Sequence, residues 1–250
     1  MPYNLIASGS SGNCIIYNEQ VMIDIGIKLK DKELITPYLD NIKVIIITHR
    51  HSDHIQIPLM KWIINNYPDI MFMYIQDVRD YLDEKLVRKV KGETVQIEVP
   101  KEMIIEPMKL YNLGFMKFQP IEVYHDVPNI ALYMVFKGQH KIFHATDTHT
   151  LEGIRIPRDT SLIALEHHHK EEHYDELIAE KVLLGEFSHE IGAKNVHMSF
   201  EDAKQFLLDN QIENATVLRL HMSSDEYYED IDIEYNFKYK EEQNVWFRKV

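Results

Sequence analysis

Residues 44–66 read VIIITHRHSDHIQIPLMKWIINN, and they place three histidines and an aspartate directly after an apolar run. The apolar run predicts a buried strand, and the residues after the histidines predict a helix. Because side chains two residues apart in an extended segment point the same way, His49 and His51 can reach one point. Asp53 and His54 follow the turn and can face a second point nearby. This pattern fits a site for two adjacent metal ions, whereas a histidine-rich surface loop rarely follows so apolar a strand.

Further along the chain, one predicted strand after another ends in histidine or an acidic residue. These strand ends are Asp24, His49, His125, Asp147, Glu166 and His221. If the strands lie in packed sheets, their ends converge on one edge, where ligands and catalytic groups gather. Six such endings are hard to attribute to chance.

Predicted strands and helices are interspersed along the chain. Short strands are expected at 3–7, 14–17, 21–24 and 70–75, and again at 103–106, 115–124, 131–136, 141–145, 161–165 and 215–220. Helices are expected from Asp31 to a break near Pro37, over 77–90, over 172–184, and from a capping box at Ser199 to Leu208. The segment 244–249 is strand-like, and 225–234 is an acidic tail. We find no repeat or linker.

Length and composition point to one ordinary globular domain over residues 1–250. No apolar run reaches eighteen residues, so no membrane span is expected. The start of the chain lacks the basic region of a secretory signal. Cys14 is the only cysteine, which rules out an internal disulfide and favours the reducing cytoplasm.

The net charge of −13 bears on the substrate. Proteins that grip long nucleic acids usually carry a basic face that displaces counterions from the phosphates. The nearest basic cluster, residues 85–91, is predicted to be one solvated face of a helix. The charge therefore favours a small substrate.

Two divalent ions need about six to eight ligand atoms, with positions left for water and substrate. One ion is predicted to bind His49, His51 and His125. The other is predicted to bind Asp53, His54 and His221, and Asp147 bridges the two ions. Nitrogen-rich donors with two carboxylates suit Zn²⁺ and tolerate Mn²⁺ or Fe²⁺. A water held between two such ions becomes hydroxide near neutral pH, so the predicted reaction class is metal-assisted hydrolysis.

Several roles have competing interpretations. His197 and His221 both occur in His-Met-Ser, and we favour His221 as the ligand because it follows an apolar strand. His197 then becomes a proton-donating group or supports a ligand. Asp24 is expected to orient a ligand. The segment 166–173, EHHHKEEH, is either solvated or lines the substrate pocket, in which case its contact residues would be Glu166, His168 and His169.

The order of these residues resembles that of the metallo-β-lactamase superfamily, whose signature is His-x-His-x-Asp-His. Residues 49–54 match that signature. The other motifs of the family are matched, in order, by Asp24, His125, Asp147 and His221. The resemblance implies an α/β (α+β) fold, a four-layer αββα sandwich with the metals at one edge.

The opening SGSSGNC and the pair VHMSFEDAKQFL and LRLHMSSDE look like the phosphodiesterase branch of that family. This branch includes ribonuclease Z and the YycJ-type exonucleases. By that resemblance His197 matches the histidine thought to assist the leaving group. Asp53 matches the residue proposed to guide the attacking water.

Departures from the family patterns narrow the substrate. The Gly-His-Thr-Pro-Gly stretch of the glyoxalase and lactonase-like branches is absent, since His125 is followed by Asp-Val-Pro. The long glycine-rich arm with which ribonuclease Z grips transfer RNA is not present. After the glutamate at position 166, the Asn-His-Asp of the YycJ-like pattern is replaced by His168-His169-Lys170.

An acidic chain of this size without a nucleic-acid arm is similar to the cyclic-nucleotide phosphodiesterases of this fold. These include the phage-encoded anti-Pycsar proteins, which destroy cyclic CMP and cyclic UMP and work as homodimers. The main hypothesis is therefore a dinuclear phosphodiesterase that opens a 3′,5′-cyclic nucleotide by attack of metal-bound hydroxide on phosphorus. The alternative is a DNA or RNA nuclease, and a non-catalytic binding protein is disfavoured because no ligand is lost. A homodimer is implied by the resemblance alone.

Overall fold

Two large mixed sheets, a separate hairpin and six α-helices make up residues 3–138, 140–212, 214–223 and 238–239, which the computed structural model describes. The chain groups into two units that divide between Pro107 and Met108. Each unit contains one of the large sheets. The expected mixed α/β class is confirmed, and the single domain stays a prediction.

The described residues of the first unit form eight strands: β1 (Tyr3–Ala7), β2 (Cys14–Tyr17), β3 (Val21–Ile23), β4 (Val44–Ile47), β5 (Met71–Tyr74), β6 (Val87–Val90), β7 (Glu93–Gln96) and β8 (Glu102–Ile104). Six of them form a sheet in the order β1-β2-β3-β4-β5-β8. β1, β2 and β3 are antiparallel neighbours, whereas β3, β4, β5 and β8 run parallel. Every residue of β3 and β4 is buried, as the uninterrupted apolar sequence of a parallel strand requires.

The helices of this unit are α1 (Thr36–Leu39), α2 (Ile57–Asn66) and α3 (Gln76–Lys85), with a 3₁₀ helix at Leu29–Leu34. In α2 the buried side chains recur at helical spacing, at Leu59, Met60, Ile63 and Ile64. The helix expected from Asp31 to Pro37 is wrong in its bounds. Pro37 lies at the start of α1, where its missing N–H is not needed.

The helix expected over 77–90 ends earlier, at Lys85. Beyond it β6 and β7 pair as an antiparallel hairpin around Lys91 and Gly92, which both have positive φ. Two central residues with φ above zero suit the tight turns of hairpins. The basic residues 85–91 are therefore no helix face, and that prediction is wrong.

In the second unit, the part of the chain that the structure describes forms seven strands: β9 (Tyr111–Asn112), β10 (Met116–Val123), β11 (Asn129–Phe136), β12 (Lys141–Ala145), β13 (Leu162–Glu166), β14 (Thr216–Leu220) and β15 (Lys238–Tyr239). Their order in the sheet is β15-β14-β13-β12-β11-β10-β9. β9 to β12 alternate in direction, and β12, β13, β14 and β15 are parallel. The carboxyl ends of β12, β13 and β14 therefore meet at one edge.

The helices of the second unit are α4 (Glu171–Leu184), α5 (Glu190–Lys194) and α6 (Phe200–Asp209). The predicted cap of α6 is confirmed, because the Ser199 hydroxyl accepts a hydrogen bond from the backbone N–H of Asp202. α6 packs on the sheet through Phe206, which stacks on Phe143 at 5.3 Å between ring centroids. This cap and contact fix the segment just before α6, which carries His197.

Across the described residues, no helix is long and apolar enough to cross a membrane. The predicted acidic tail at 225–234 and the strand-like segment at 244–249 lie outside the described residues.

Candidate metal and catalytic site

Asp24 organises the motif loop of the first unit. It follows β3 with a φ of 59° and is 1% exposed. Its carboxylate accepts hydrogen bonds from the backbone N–H of Thr48 at 2.8 Å and from the Thr48 hydroxyl at 2.9 Å. It also accepts from Nδ1 of His54 at 2.7 Å. Because β3 and β4 are parallel neighbours, their ends bring Asp24 beside the loop that opens at Thr48.

These contacts determine which nitrogen of each histidine carries the proton. His54 donates from Nδ1 to Asp24, which leaves the lone pair on Nε2. The Thr48 hydroxyl donates to Asp24, so its oxygen accepts from Nδ1 of His49 at 3.1 Å, and His49 keeps its lone pair on Nε2 as well. Carboxylates behind metal-binding imidazoles fix tautomer and ring orientation in the same way. The His49 ring centroid lies 4.0 Å from that of His54 and 4.8 Å from that of His51.

Asn13 holds the same loop from the other side. Its side-chain amide donates to Nε2 of His54 at 2.8 Å and to Oδ2 of Asp53 at 3.2 Å. Its backbone N–H donates to the Asp53 carbonyl at 2.7 Å. The Asp53 carbonyl is so close to Gly26 that a Cβ there would lie 1.6 Å from the oxygen. Asn13 lies in the opening stretch SGSSGNC, whose resemblance to the phosphodiesterase branch is the sequence signal for this role.

In the second unit, three neighbouring parallel strands end in acidic or histidine side chains, as the sequence analysis expected. Asp147 follows β12, Glu166 ends β13 and His221 follows β14. Asp147 and His221 both have a φ of 50°, a conformation that costs energy for residues other than glycine and is concentrated at functional sites. Nε2 of His221 lies 3.2 Å from Oδ1 of Asp147.

His197 joins this group from the segment before α6. Its Nδ1 lies 2.7 Å from Oε1 of Glu166 and 3.3 Å from Oδ1 of Asp147. The second oxygen of Glu166 accepts from the backbone N–H of Thr148 at 2.8 Å. Glu166 is fully buried, so its carboxylate gains stability from these donors. His197 thus has its Nδ1 proton fixed and its Nε2 available for proton transfer.

His125 follows β10 and is oriented by the backbone. Its Nδ1 donates to the Val196 carbonyl at 3.1 Å, and its Nε2 lies 3.1 Å from Oδ1 of Asp126. Its ring centroid is 5.6 Å from that of His197. Burial lowers the pKa of His125, and the charges of Asp147 and Asp126 act in the opposite direction. The imidazole is therefore favoured in its neutral form, which is the form that binds metals.

The segment 166–169 is buried, so the solvated alternative for it is wrong. Glu166, His167, His168 and His169 are each at most 9% exposed, because the strand β13 continues into a backbone that pairs with neighbouring loops. His168 donates its backbone N–H to the Met198 carbonyl, and the Ser223 N–H donates to the His168 carbonyl. Burial first, and then the imidazoles of His197 and His221, lower the pKa of His168 to about 2.

The donor set of each unit suits divalent transition ions. The first unit supplies imidazoles with fixed tautomers at His49 and His54, beside His51 and the Asp53 carboxylate. In the second unit, one ligand atom from each of four side chains lies within 4.8 Å of the others: Asp147, Glu166, His197 and His221. Imidazole and carboxylate donors together fit Zn²⁺ or Mn²⁺ better than Ca²⁺.

The predicted site residues thus fall into two local groups. The first unit brings together Asp24, His49, His51, Asp53 and His54. The second unit brings together His125, Asp147, Glu166, His168, His197 and His221. His169 faces another way, with its ring stacked on Tyr174 at 4.4 Å and its Nε2 3.5 Å from Glu171. Thr48 and Asn13 were missed as contributors.

A family model described as a beta-lactamase superfamily domain matches residues 20–222. This match includes every predicted metal ligand, from His49 to His221, together with Asp24, Glu166 and His197. Sequence comparison with curated proteins finds no match.

Among solved structures, the chain is similar to the metallo-β-lactamase fold protein YhfI from Bacillus subtilis, with a TM-score of 0.63, 14% identity, and 89% of this chain and 86% of that chain covered. It is similar to the short form of human tRNase Z, with a TM-score of 0.62, 14% identity and 97% of both chains covered. A diphosphatase from the PhnP family gives a TM-score of 0.61 at 11% identity, with 96% and 94% covered. At these identities the likeness shows the fold alone, and the expected metallo-β-lactamase fold is confirmed.

Proposed function

This chain belongs to the beta-lactamase superfamily, and we propose that it is a metal-dependent phosphodiesterase that opens 3′,5′-cyclic mononucleotides. The observation that carries the proposal is the contact between Glu166 and His197. A histidine whose Nδ1 proton is held by a buried carboxylate is suited to deliver a proton from its other nitrogen. A ribose oxygen is a poor leaving group that needs such a proton, whereas a thioester sulfur does not.

We propose two divalent ions, most simply Zn²⁺, with Mn²⁺ as the alternative. Their ligands would be seven of the side chains that match the family motifs: His49, His51, Asp53, His54, His125, Asp147 and His221. When bound, the ions would acidify a water for attack on phosphorus and neutralise charge on the phosphoryl oxygens. The tautomers fixed by Asp24, Thr48 and the Val196 carbonyl support this ligand set.

The other steps belong to the side chains themselves. Asp53, 22% exposed at its side chain, orients the attacking water through the oxygen that Asn13 also contacts. His197 donates its Nε2 proton to the departing ribose oxygen. Glu166 stabilises the positive charge that His197 carries before the transfer, since its Oε1 lies 2.7 Å from Nδ1.

The net charge of the chain supports a small anionic substrate. Cyclic CMP and cyclic UMP, the substrates of the anti-Pycsar type, are candidates. A net charge of −13 opposes the approach of a long polyanion.

A nuclease acting on DNA or RNA is the second candidate, and one observation favours it. The hairpin of β6 and β7 exposes three cationic side chains, at Arg88, Lys89 and Lys91, which could contact phosphates.

A hydrolysis panel on chelated protein with Zn²⁺ or Mn²⁺ added back tests the proposal. The substrates are 3′,5′-cyclic CMP, UMP, AMP and GMP, 2′,3′-cyclic nucleotides, single- and double-stranded oligonucleotides and a lactone. We expect metal-dependent opening of the 3′,5′-cyclic nucleotides, lost in Asp147→Asn and kept in Asp159→Asn, whose side chain is 70% exposed. Cleavage of oligonucleotides alone would replace the proposal with the nuclease, and its rate should then fall steeply with salt.

We also propose a homodimer in the cytoplasm, without a membrane partner. Sedimentation of the metal-loaded protein at several concentrations measures the oligomeric state. A monomer at all concentrations would remove the homodimer while leaving the chemistry intact.

A further inference from the structure

His168 lies face to face with the proton-donating histidine. Its ring centroid is 4.3 Å from that of His197, and the two ring planes differ by 8°. His168 is 9% exposed. Such a close, parallel contact covers one face of His197 and limits the tilt of its ring about the hydrogen bond to Glu166.

His168 is itself held in place by contacts of both its backbone and its ring. The backbone of His168 is fixed, because its N–H donates to the Met198 carbonyl and its carbonyl accepts from the Ser223 N–H, each at 3.0 Å. The edge of its ring meets Tyr174, with ring planes at 88° and centroids 6.0 Å apart. Tyr174 is 1% exposed, so this support is part of the packed interior.

Among the described residues, Nδ1 of His168 has no hydrogen-bond partner although it is buried. A buried polar atom without a partner costs about 1–3 kcal/mol. Because this nitrogen makes no hydrogen bond there, an aromatic residue without it should be tolerated at this position.

We propose that His168 is a positioning residue, whose flat face holds the His197 ring at the angle from which Nε2 reaches the leaving oxygen. The inference rests on the proposed function and adds to it a residue that acts through another. Contacts of Nδ1 with Oε1 of Glu166 and Oδ1 of Asp147 fix the position of that atom, and His221 stacks on the ring at the longer centroid distance of 4.9 Å, but the ring can still rotate about Nδ1. The stacked face of His168 restricts this remaining rotation.

The test compares His168→Phe, which keeps a flat ring, with His168→Leu, which keeps apolar bulk without one. Each is assayed, with confirmed metal content, on 3′,5′-cyclic CMP and on bis(p-nitrophenyl) phosphate, whose leaving group needs no proton. For His168→Leu we expect kcat on the cyclic nucleotide to fall about 10-fold or more, and on the nitrophenyl diester to change less than about 2-fold. His168→Phe should stay within about 2-fold of the wild type on both.

A second measurement is independent of turnover. The carbon-bound ring protons of His197, assigned with His197→Gln, should be shifted upfield by the stacked ring in the zinc-loaded wild type and in His168→Phe. They should move downfield in His168→Leu.

Equal losses of kcat on both substrates in His168→Leu would overturn the inference. So would a loss of kcat in His168→Phe as large as in His168→Leu. A fall in metal content in both variants would also overturn it, because His168 would then be a ligand. If the wild type cleaves oligonucleotides and not cyclic CMP, the proposed function fails. The oligonucleotide then replaces cyclic CMP in the same comparison, because its leaving group is also a ribose or deoxyribose oxygen.

Discussion

Oε1 of Glu166 lies 2.7 Å from Nδ1 of His197, and Oε2 of the same fully buried carboxylate accepts the backbone N–H of Thr148. The carboxylate is thus fixed at one oxygen by the backbone and uses the other to hold an imidazole. This relationship joins β13 to the segment before α6 and orients the proposed proton donor of the second unit.

Glu166→Gln should disable that donor while keeping its shape. The amide must turn its oxygen to the Thr148 N–H, which leaves its NH₂ facing Nδ1 of His197 and forces the other tautomer. The new side chain also cannot stabilise a charged imidazole. We expect kcat on cyclic CMP to fall about 10²-fold, with the nitrophenyl diester far less affected, measured by steady-state kinetics on both substrates.

A matched control is Glu201→Gln, an exposed glutamate in the first turn of α6. It should leave both rates unchanged. Equal losses on both substrates in Glu166→Gln would mean that Glu166 acts on the metal site and not through leaving-group protonation.

Asp24→Asn should weaken metal binding in the first unit. Asp24 accepts from Thr48 and His54 at the same time, and an asparagine offers one acceptor oxygen in place of two. The tautomer of His54 is then no longer fixed. We expect the affinity for Zn²⁺, measured by competition with a chromophoric chelator, to fall about 10- to 100-fold. The exposed Asp40→Asn is the control, and an unchanged affinity in Asp24→Asn would contradict the orienting role.

The sequence predicts this site better than it predicts the elements around it. His49, Asp147 and His221 could be found because they lie at strand ends, and strand ends are set by apolar runs that remain buried in the fold. The partners that fix their tautomers are harder to find. Thr48 and Asn13 act through hydrogen bonds to residues 24 and 40 positions away in the sequence, and no periodicity marks a residue with such distant partners.

The wrong expectations also have physical causes. Residues 87–90 continue a helical pattern in sequence, but pairing with Glu93–Gln96 across a two-residue turn prevails over the weak local preference. The polar composition of residues 166–173 suggested solvent exposure. The first four of these residues are instead buried, and the His168 backbone there donates to the Met198 carbonyl and accepts from the Ser223 N–H, tertiary contacts that composition alone does not reveal.

Gly26→Ala should destabilise the protein and distort the motif loop. A Cβ at this position would lie 1.6 Å from the Asp53 carbonyl oxygen and 2.8 Å from the Asn13 backbone nitrogen, so the backbone must move. We expect the free energy of unfolding in urea to fall by about 2–4 kcal/mol. Gly192→Ala is the control, because nothing lies within 4 Å of its Cβ position in α5, and it should be neutral or slightly stabilising. Equal changes in the free energy of unfolding for the two substitutions would contradict the close approach of Gly26 to the Asp53 carbonyl.

Stability should fall between pH 6.5 and pH 4 because of buried histidines. Burial lowers the pKa of His167 from 6.5 to about 4, and its Nδ1 donates to the Leu165 carbonyl. Since the unfolded chain takes up a proton at higher pH than the folded one, the stabilisation is complete above pH 6.5 and is lost as the pH falls toward 4.

The effect of His167 can be isolated by substitution. Between pH 7 and pH 5, His167 accounts for a decrease of about 2 kcal/mol in the free energy of unfolding. His167→Leu should therefore show a shallower decline in the free energy of unfolding than the wild type. His140→Gln, at a half-buried position, should decline as the wild type does. A decline of the same slope in His167→Leu would contradict the account of His167.

The central claim is hydrolysis of a cyclic phosphodiester by attack on phosphorus, and ³¹P NMR of cyclic CMP turnover in ¹⁸O-enriched water tests it most directly. For the Zn²⁺-loaded protein we predict that the cyclic diester signal is replaced by a monoester signal shifted by one ¹⁸O on phosphorus. An unchanged diester signal, or a product without ¹⁸O on its phosphate, would contradict the account.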